Sequence, residues 1–204
     1  IPWPLEKGDK LRAYNQIKQL AKNNEVILCT LNADRKANKE EAFKALQPYC
    51  KSITFIDISK TSILINLTKA FMKGLPIQCG YFYNKKAHKK IHHLIERHQP
   101  DMLFGQMIRV AEYLRHEKTK KTIDYQDVLS MGMKRRSEIA PFFMKPIFNM
   151  EYRRLRKYEH DIFDDFDIKT IISMIYRDFI DHSKRDEILI VPNGVDHEYY
   201  SPQD

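Results

Sequence analysis

Cysteine is scarce. Cys29, Cys50 and Cys79 are too few and too scattered to form a disulfide scaffold, and no CxxC pair offers a metal or redox site. Reduced, buried thiols are the simpler expectation, and they point to the cytoplasm. The chain has no run of eighteen apolar residues, so no membrane-spanning helix is expected. Its opening, Ile1-Pro2-Trp3-Pro4, lacks the charged start and apolar core of a signal peptide. The glycines form neither a GxGxxG fingerprint nor a P-loop, so no dinucleotide or P-loop nucleotide site is visible. Helix-turn-helix spacing, zinc-finger ligands and RNP-type aromatic strands are also missing, which sets nucleic acid aside as a partner. There is no internal repeat and no low-complexity tract.

What is present describes a globular α/β protein. The 204 residues can bury a core without a disulfide or metal staple, and 43% hydrophobic with 30% charged residues is an ordinary balance. Lys and Arg number 35 against 27 acids, a net charge of +8 that suits an anionic partner such as a phosphorylated substrate or an anionic lipid surface.

Along the chain, helical spacing alternates with short apolar runs. Residues 9–23 carry apolar positions at Leu11, Tyr14, Ile17, Leu20 and Ala21, with Asp9 placed to cap the helix. Residues 25–31 read as a strand of the kind buried on both faces of a parallel sheet. The pattern then predicts a helix at 38–46, a strand at 52–58, a helix at 62–73, a strand at 78–83 and a basic helix at 85–98. Beyond these it predicts strands at 101–105, 121–125, 167–173 and 187–191. Helices at 107–116, 126–138, 148–163 and 175–182 fall between them. Strands separated by helices imply βαβ units and a mostly parallel sheet, a Rossmann-like three-layer domain. The first helix should follow a strand, so the expectation is a domain over 1–191 whose first strand is missing. Pro192-Asn193-Gly194-Val195-Asp196 reads as a turn leading onward, which makes 192–204 a junction to an absent second domain.

Four stretches carry a resemblance. PWPLEKGDKLRAYNQIKQLAKNNEVILCT resembles the first loop, helix and strand of the GT-B glycosyltransferases of family 4. DMLFGQMIRVAEYL and EYRRLRKYEHDIFDDFDIKTIIS are similar to later strand and helix units of that family. ILIVPNGVDHEYYSP looks like its junction between domains, and this is the most specific of the four. The resemblance implies the acceptor-side half of a retaining glycosyltransferase. The donor, a nucleotide-sugar, would bind a C-terminal domain beyond Asp204. The acceptor would be a glycan or lipid-linked molecule, no metal or other cofactor would be needed, and these residues alone would be inactive. The alternative is a non-catalytic acceptor-binding or regulatory half that works with a separate donor domain.

Candidate site residues follow from both readings. Gly8 precedes a helix whose free N–H groups could meet an anion. The family pattern has a pair of glycines here, whereas this sequence has Gly8 and Asp9. With Arg12, these are expected at the acceptor or donor phosphate. Asp127 follows a strand, at the sheet edge where doubly wound folds bind ligands, and is the candidate base or hydroxyl-orienting group. It could equally be a helix N-cap. Many family members carry a histidine near this point, and this sequence has Gln126 and Asp127. Gln106 and Arg109 follow the preceding strand, and Arg109 could pair with an acceptor phosphate or carboxylate.

Two basic regions need different readings. His88 and His92 have the i,i+4 spacing that can share a metal, but no HExxH glutamate accompanies them. Lys85, Lys86, Lys89 and Lys90 surround them, so a solvated basic face is expected and no metal. Residues 134–157 interleave Arg135, Arg136, Arg153 and Arg154 with Phe142, Phe143, Ile147 and Phe148, a pattern that fits an anionic membrane surface or a charged acceptor.

Overall fold

The computed structural model describes residues 1–34 and 36–194, with backbone only at 60 and 62. From Val195 on, the expected junction lies outside the described residues. Helices and parallel strands alternate as the periodicity predicts: α1 (Gly8–Leu20), β1 (Ile27–Asn32), α2 (Lys39–Leu46), β2 (Ser52–Asp57), α3 (Lys60–Met72), α4 (Ile77–Phe82), α5 (Lys85–His98), β3 (Leu103–Gln106), β4 (Lys121–Gln126), α6 (Leu129–Ile139), α7 (Lys145–Asp161), β5 (Ile168–Ile171), α8 (Met174–Phe179) and β6 (Leu189–Ile190). β1 pairs with β2, and β3-β4-β5-β6 form a second sheet in that order, with every pairing parallel. This is a Rossmann-like α/β domain.

β4 lies at its centre. Ile123 and Tyr125 are fully buried, and Leu155, Ile162, Phe163 and Ile171 pack around them. β1 belongs to the same core through Cys29 and Leu31. One edge of β1 and one edge of β3 have no partner strand among the described residues.

Two segments depart from the pattern. Residues 78–83, expected as a strand, are helix α4. A six-residue apolar run does not distinguish the two, and here tertiary contacts decide. Both carboxylate oxygens of Glu151 accept the α4 amides of Ile77 and Gln78, at 2.9 and 3.1 Å. Gly80 lets α4 lie against α3, since a Cβ there would overlap the Ala70 side chain. Residues 108–113, expected as α-helix, form a 3₁₀-helix instead.

α1 joins the two sheets. Its Tyr14 ring sits 5.8 Å from both Trp3 and Tyr49, and Trp3 Nε1 donates to Glu41 on α2 at 2.9 Å. On its other side Arg12 Nε donates to Asp124 Oδ2 at 2.8 Å, both side chains being buried. Gln16 Nε2 and Thr170 Oγ1 complete the Asp124 carboxylate at 2.8 and 3.0 Å, and Arg12 also donates to Asn193 Oδ1 at 2.8 Å. Arg12, expected at a phosphate, is here engaged inside the fold by Asp124 and Asn193.

Asp124→Ala leaves a buried guanidinium without its counter-charge. It should lower unfolding free energy by about 3–5 kcal/mol in urea titration, with Asp124→Asn costing less.

Candidate functional site

The polar cluster stands where β3 and β4 end. The chain turns sharply at both exits: Met107 has φ 67° and Gln126 has φ 65°. Such backbone costs a non-glycine residue about 1–3 kcal/mol and survives only where its surroundings hold it. Asp124 does the holding. Its carbonyl accepts Met107 N at 2.7 Å, and its Oδ1 accepts Gln126 N at 3.1 Å. The β4–β5 register shifts between Asp124 and Gln126, an irregularity of the kind that re-aims side chains at sheet edges.

Gln106 Nε2 reaches the Asp9 carbonyl at 3.1 Å, which brings the start of α1 against the end of β3. Arg109 donates to Gln78 Oε1 at 2.7 Å, and its guanidinium lies 5.6 Å from the Phe82 ring centre. Of the seven buried side-chain polar atoms without a hydrogen-bond partner among the described residues, four belong here: Arg109 Nε, Asp127 Oδ1, Gln126 Oε1 and Gln78 Nε2. An orphaned buried polar atom is uncommon, and four in one neighbourhood indicate a place that a ligand or ordered water completes.

Charge couples these groups. Burial pushes the Asp127 carboxyl up, opposed chiefly by the positive charge of Arg109. Burial lowers the Arg109 guanidinium, opposed chiefly by Asp127. Arg135 favours ionised Asp127, and Arg136 disfavours the charge on Arg109, so both arginines lie within the field of the site. Glu159 of α7 is the third member. Its Oε1 accepts the Ser130 amide in the first turn of α6 at 3.0 Å. Burial pushes its pKa up to about 7, with the negative charge of Asp127 adding to the rise. Two carboxylates thus meet at the start of one helix, and only Asp127 has the arginine beside it.

Gly8, Asp9, Gln106, Arg109 and Asp127 are brought to one edge of the domain. Gly8 faces open space, since a Cβ there would meet nothing within 4 Å. Asp9 is not the cap of α1, because Lys7 occupies that position and Asp9 lies in the first turn. Asp127 is not the cap of α6 either: Val128 precedes that helix, and Glu159 serves the Ser130 amide. Arg154 lies along the surface of α3, donating to the Phe71 carbonyl at 3.2 Å and stacking on that exposed ring. Arg153 lines a shallow groove with Arg156, Lys157 and His160, so the expected basic patch is not a single surface. Among the histidines, His92 Nδ1 meets Glu117 at 2.9 Å, and His88 packs against Tyr83 and Tyr113. No three metal-ligating side chains come together among the described residues.

With this geometry in hand, comparison with known proteins adds no family. No family model matches the chain, and no curated protein does.

Glu159 and Gln78 were not singled out from the sequence. Glu159 carried a usable signal: Glu151, Leu155, Tyr158, Glu159 and Ile162 fall on one helical stripe, and an acid on an apolar stripe is a buried acid. Gln78 carried none, because its segment reads as a strand.

Glu159 makes stability depend on pH in a defined direction. Its folded pKa of about 7 exceeds the ordinary value of 4.5, so the folded state holds the proton more tightly. The stability tied to that proton is fully present below about pH 4.5 and lost as pH rises through about 7. Glu159→Gln keeps an acceptor for the Ser130 amide and cannot ionise. Urea titrations from pH 5 to 8 should show the parent losing up to about 3 kcal/mol more than the variant over that range.

Proposed function

We propose that these residues form the acceptor-side domain of a retaining GT-B glycosyltransferase, which moves a sugar from a nucleotide-sugar to a glycan or lipid-linked acceptor. The observation that carries the reading is the set of unsatisfied polar atoms beside two strained residues at the C-terminal ends of parallel strands. Open α/β sheets bind their ligands at that edge. The PNGVD-type stretch at 192–196 supports the same reading through its resemblance to the family's interdomain junction.

In this reading the free Oδ1 of Asp127 accepts the hydrogen bond of an acceptor hydroxyl and is placed to take its proton. Burial raises the basicity of the carboxylate, and Arg109 keeps it from being neutralised too readily. The free Nε of Arg109 donates to a phosphate or carboxylate of the acceptor, while Gln78 fixes the other end of the guanidinium. Donor recognition falls to a separate domain, and no metal is assigned a role. Reduced thiols fit the cytoplasm: none of the three cysteines is paired, and burial pushes Cys29 and Cys50 each up to about 11.

The test is a panel of UDP-, GDP- and ADP-sugars offered to the full-length product of the gene. Sugar transfer should be measurable, and Asp127→Asn should lower kcat by about 10²–10⁴-fold with an unchanged melting curve. Arg109→Ala should act mainly on acceptor KM. Acceptor binding without turnover of any donor would favour the non-catalytic reading. Failure to bind every sugar nucleotide would remove the transferase.

A further inference from the structure

α6 and α7 form an antiparallel hairpin. At one end Ser130 meets Glu159 beside the polar cluster, and at the other the turn 140–144 joins the helices. That turn is conspicuously apolar. Ile139 is 86% exposed, Phe142 84% and Phe143 65%, with Met144 and Ile147 exposed beside them. The Phe142 and Phe143 rings stand edge to face with centres 5.8 Å apart, each giving the other its nearest aromatic contact. An apolar group of this size on a surface marks an interaction site more often than chance exposure.

The surroundings indicate what it meets. Lys134, Arg135 and Arg136 on the last turns of α6 and Lys145 at the start of α7 are all exposed. Against these four cations the tip has one exposed acid, Glu138. The next acid along, Glu151, is buried and bonded to the α4 amides. Arg135 precedes Ile139 by four residues, about 6 Å along the helix axis. Apolar side chains set ~5–10 Å into a bilayer interface would therefore hold this collar at the depth of the lipid phosphates. A second copy of the chain fits less well, because pairing two such tips would bring like-charged collars together.

We propose that the tip of the α6–α7 hairpin inserts into an anionic phospholipid membrane, with Phe142 and Phe143 as the inserted groups. This inference rests on exposure and charge, not on the transferase reading, and it succeeds or fails separately. α6 spans about 16 Å from its start beside the polar cluster to the tip, so a docked domain would hold that cluster near the lipid surface.

Sedimentation with sucrose-loaded vesicles tests it. The protein should pellet with 1:1 phosphatidylcholine–phosphatidylglycerol vesicles at 50 mM salt, and hardly at all with phosphatidylcholine alone. Phe142→Ser/Phe143→Ser should weaken binding by more than about tenfold, since two aromatic side chains lose their burial. Lys134→Glu/Lys145→Glu should weaken it by a similar factor, roughly fivefold for each charge removed and more for reversal. Both variants should melt with the parent, because the changed side chains are exposed. Absence of pelleting with acidic vesicles at low salt would overturn the proposal, as would a serine variant that pellets like the parent. A dimer in sedimentation velocity that the serine variant abolishes, with vesicle binding unchanged, would reassign the tip to a second copy.

Discussion

A carboxylate taken wholly out of water must be met from every side, and in this domain that requirement organises the fold around Asp124. The side chain is fully buried, and its oxygens receive Arg12 and Gln16 from α1, Thr170 from β5 and the backbone amide of Gln126. Three elements distant in sequence are fixed by one group. The desolvation cost of such a pair is offset only when every lone pair is used, as here. The same residue also sets the chemistry, because its backbone and side chain hold the two positive-φ residues that shape the ends of β3 and β4. The polar cluster is therefore an outgrowth of the core.

Within that cluster two carboxylates lie near the start of α6 and are treated differently. Asp127 has the charge of Arg109 acting on it and half-open surroundings, whereas Glu159 is enclosed and is met by the hydroxyl and amide of Ser130. Burial raises both carboxyls, but only at Asp127 does an arginine oppose it. Arg135 and Arg136 extend the positive field from the cluster toward the hairpin tip, and Lys134 and Lys145 continue it there.

The alternation of helix and strand was legible because apolar runs such as residues 25–31 are short, β-rich and bounded by polar residues. The edge carrying Gln106, Arg109 and Asp127 was legible for the same reason, since parallel strands put the residues that follow them on one side. Three things were not. α4 reads as a strand because six residues cannot display a helical period, and its identity rests on Glu151 some seventy residues away. Arg12 looks like any surface arginine until its partner, 112 positions distant, is known. Asp9 and Asp127 both sit where a cap is expected, and only the backbone geometry moves that role to other residues.

The division of the strands into two sheets has a dynamic consequence. No backbone ladder crosses from β1 to β3 among the described residues, so the smaller sheet is held to the larger by side-chain packing and by helices, with α1 bonded to both. Units joined without hydrogen-bonded strands open separately, at a free energy below that of global unfolding. The amides of β1 and β2 therefore belong to a more labile cooperative unit than those of β4.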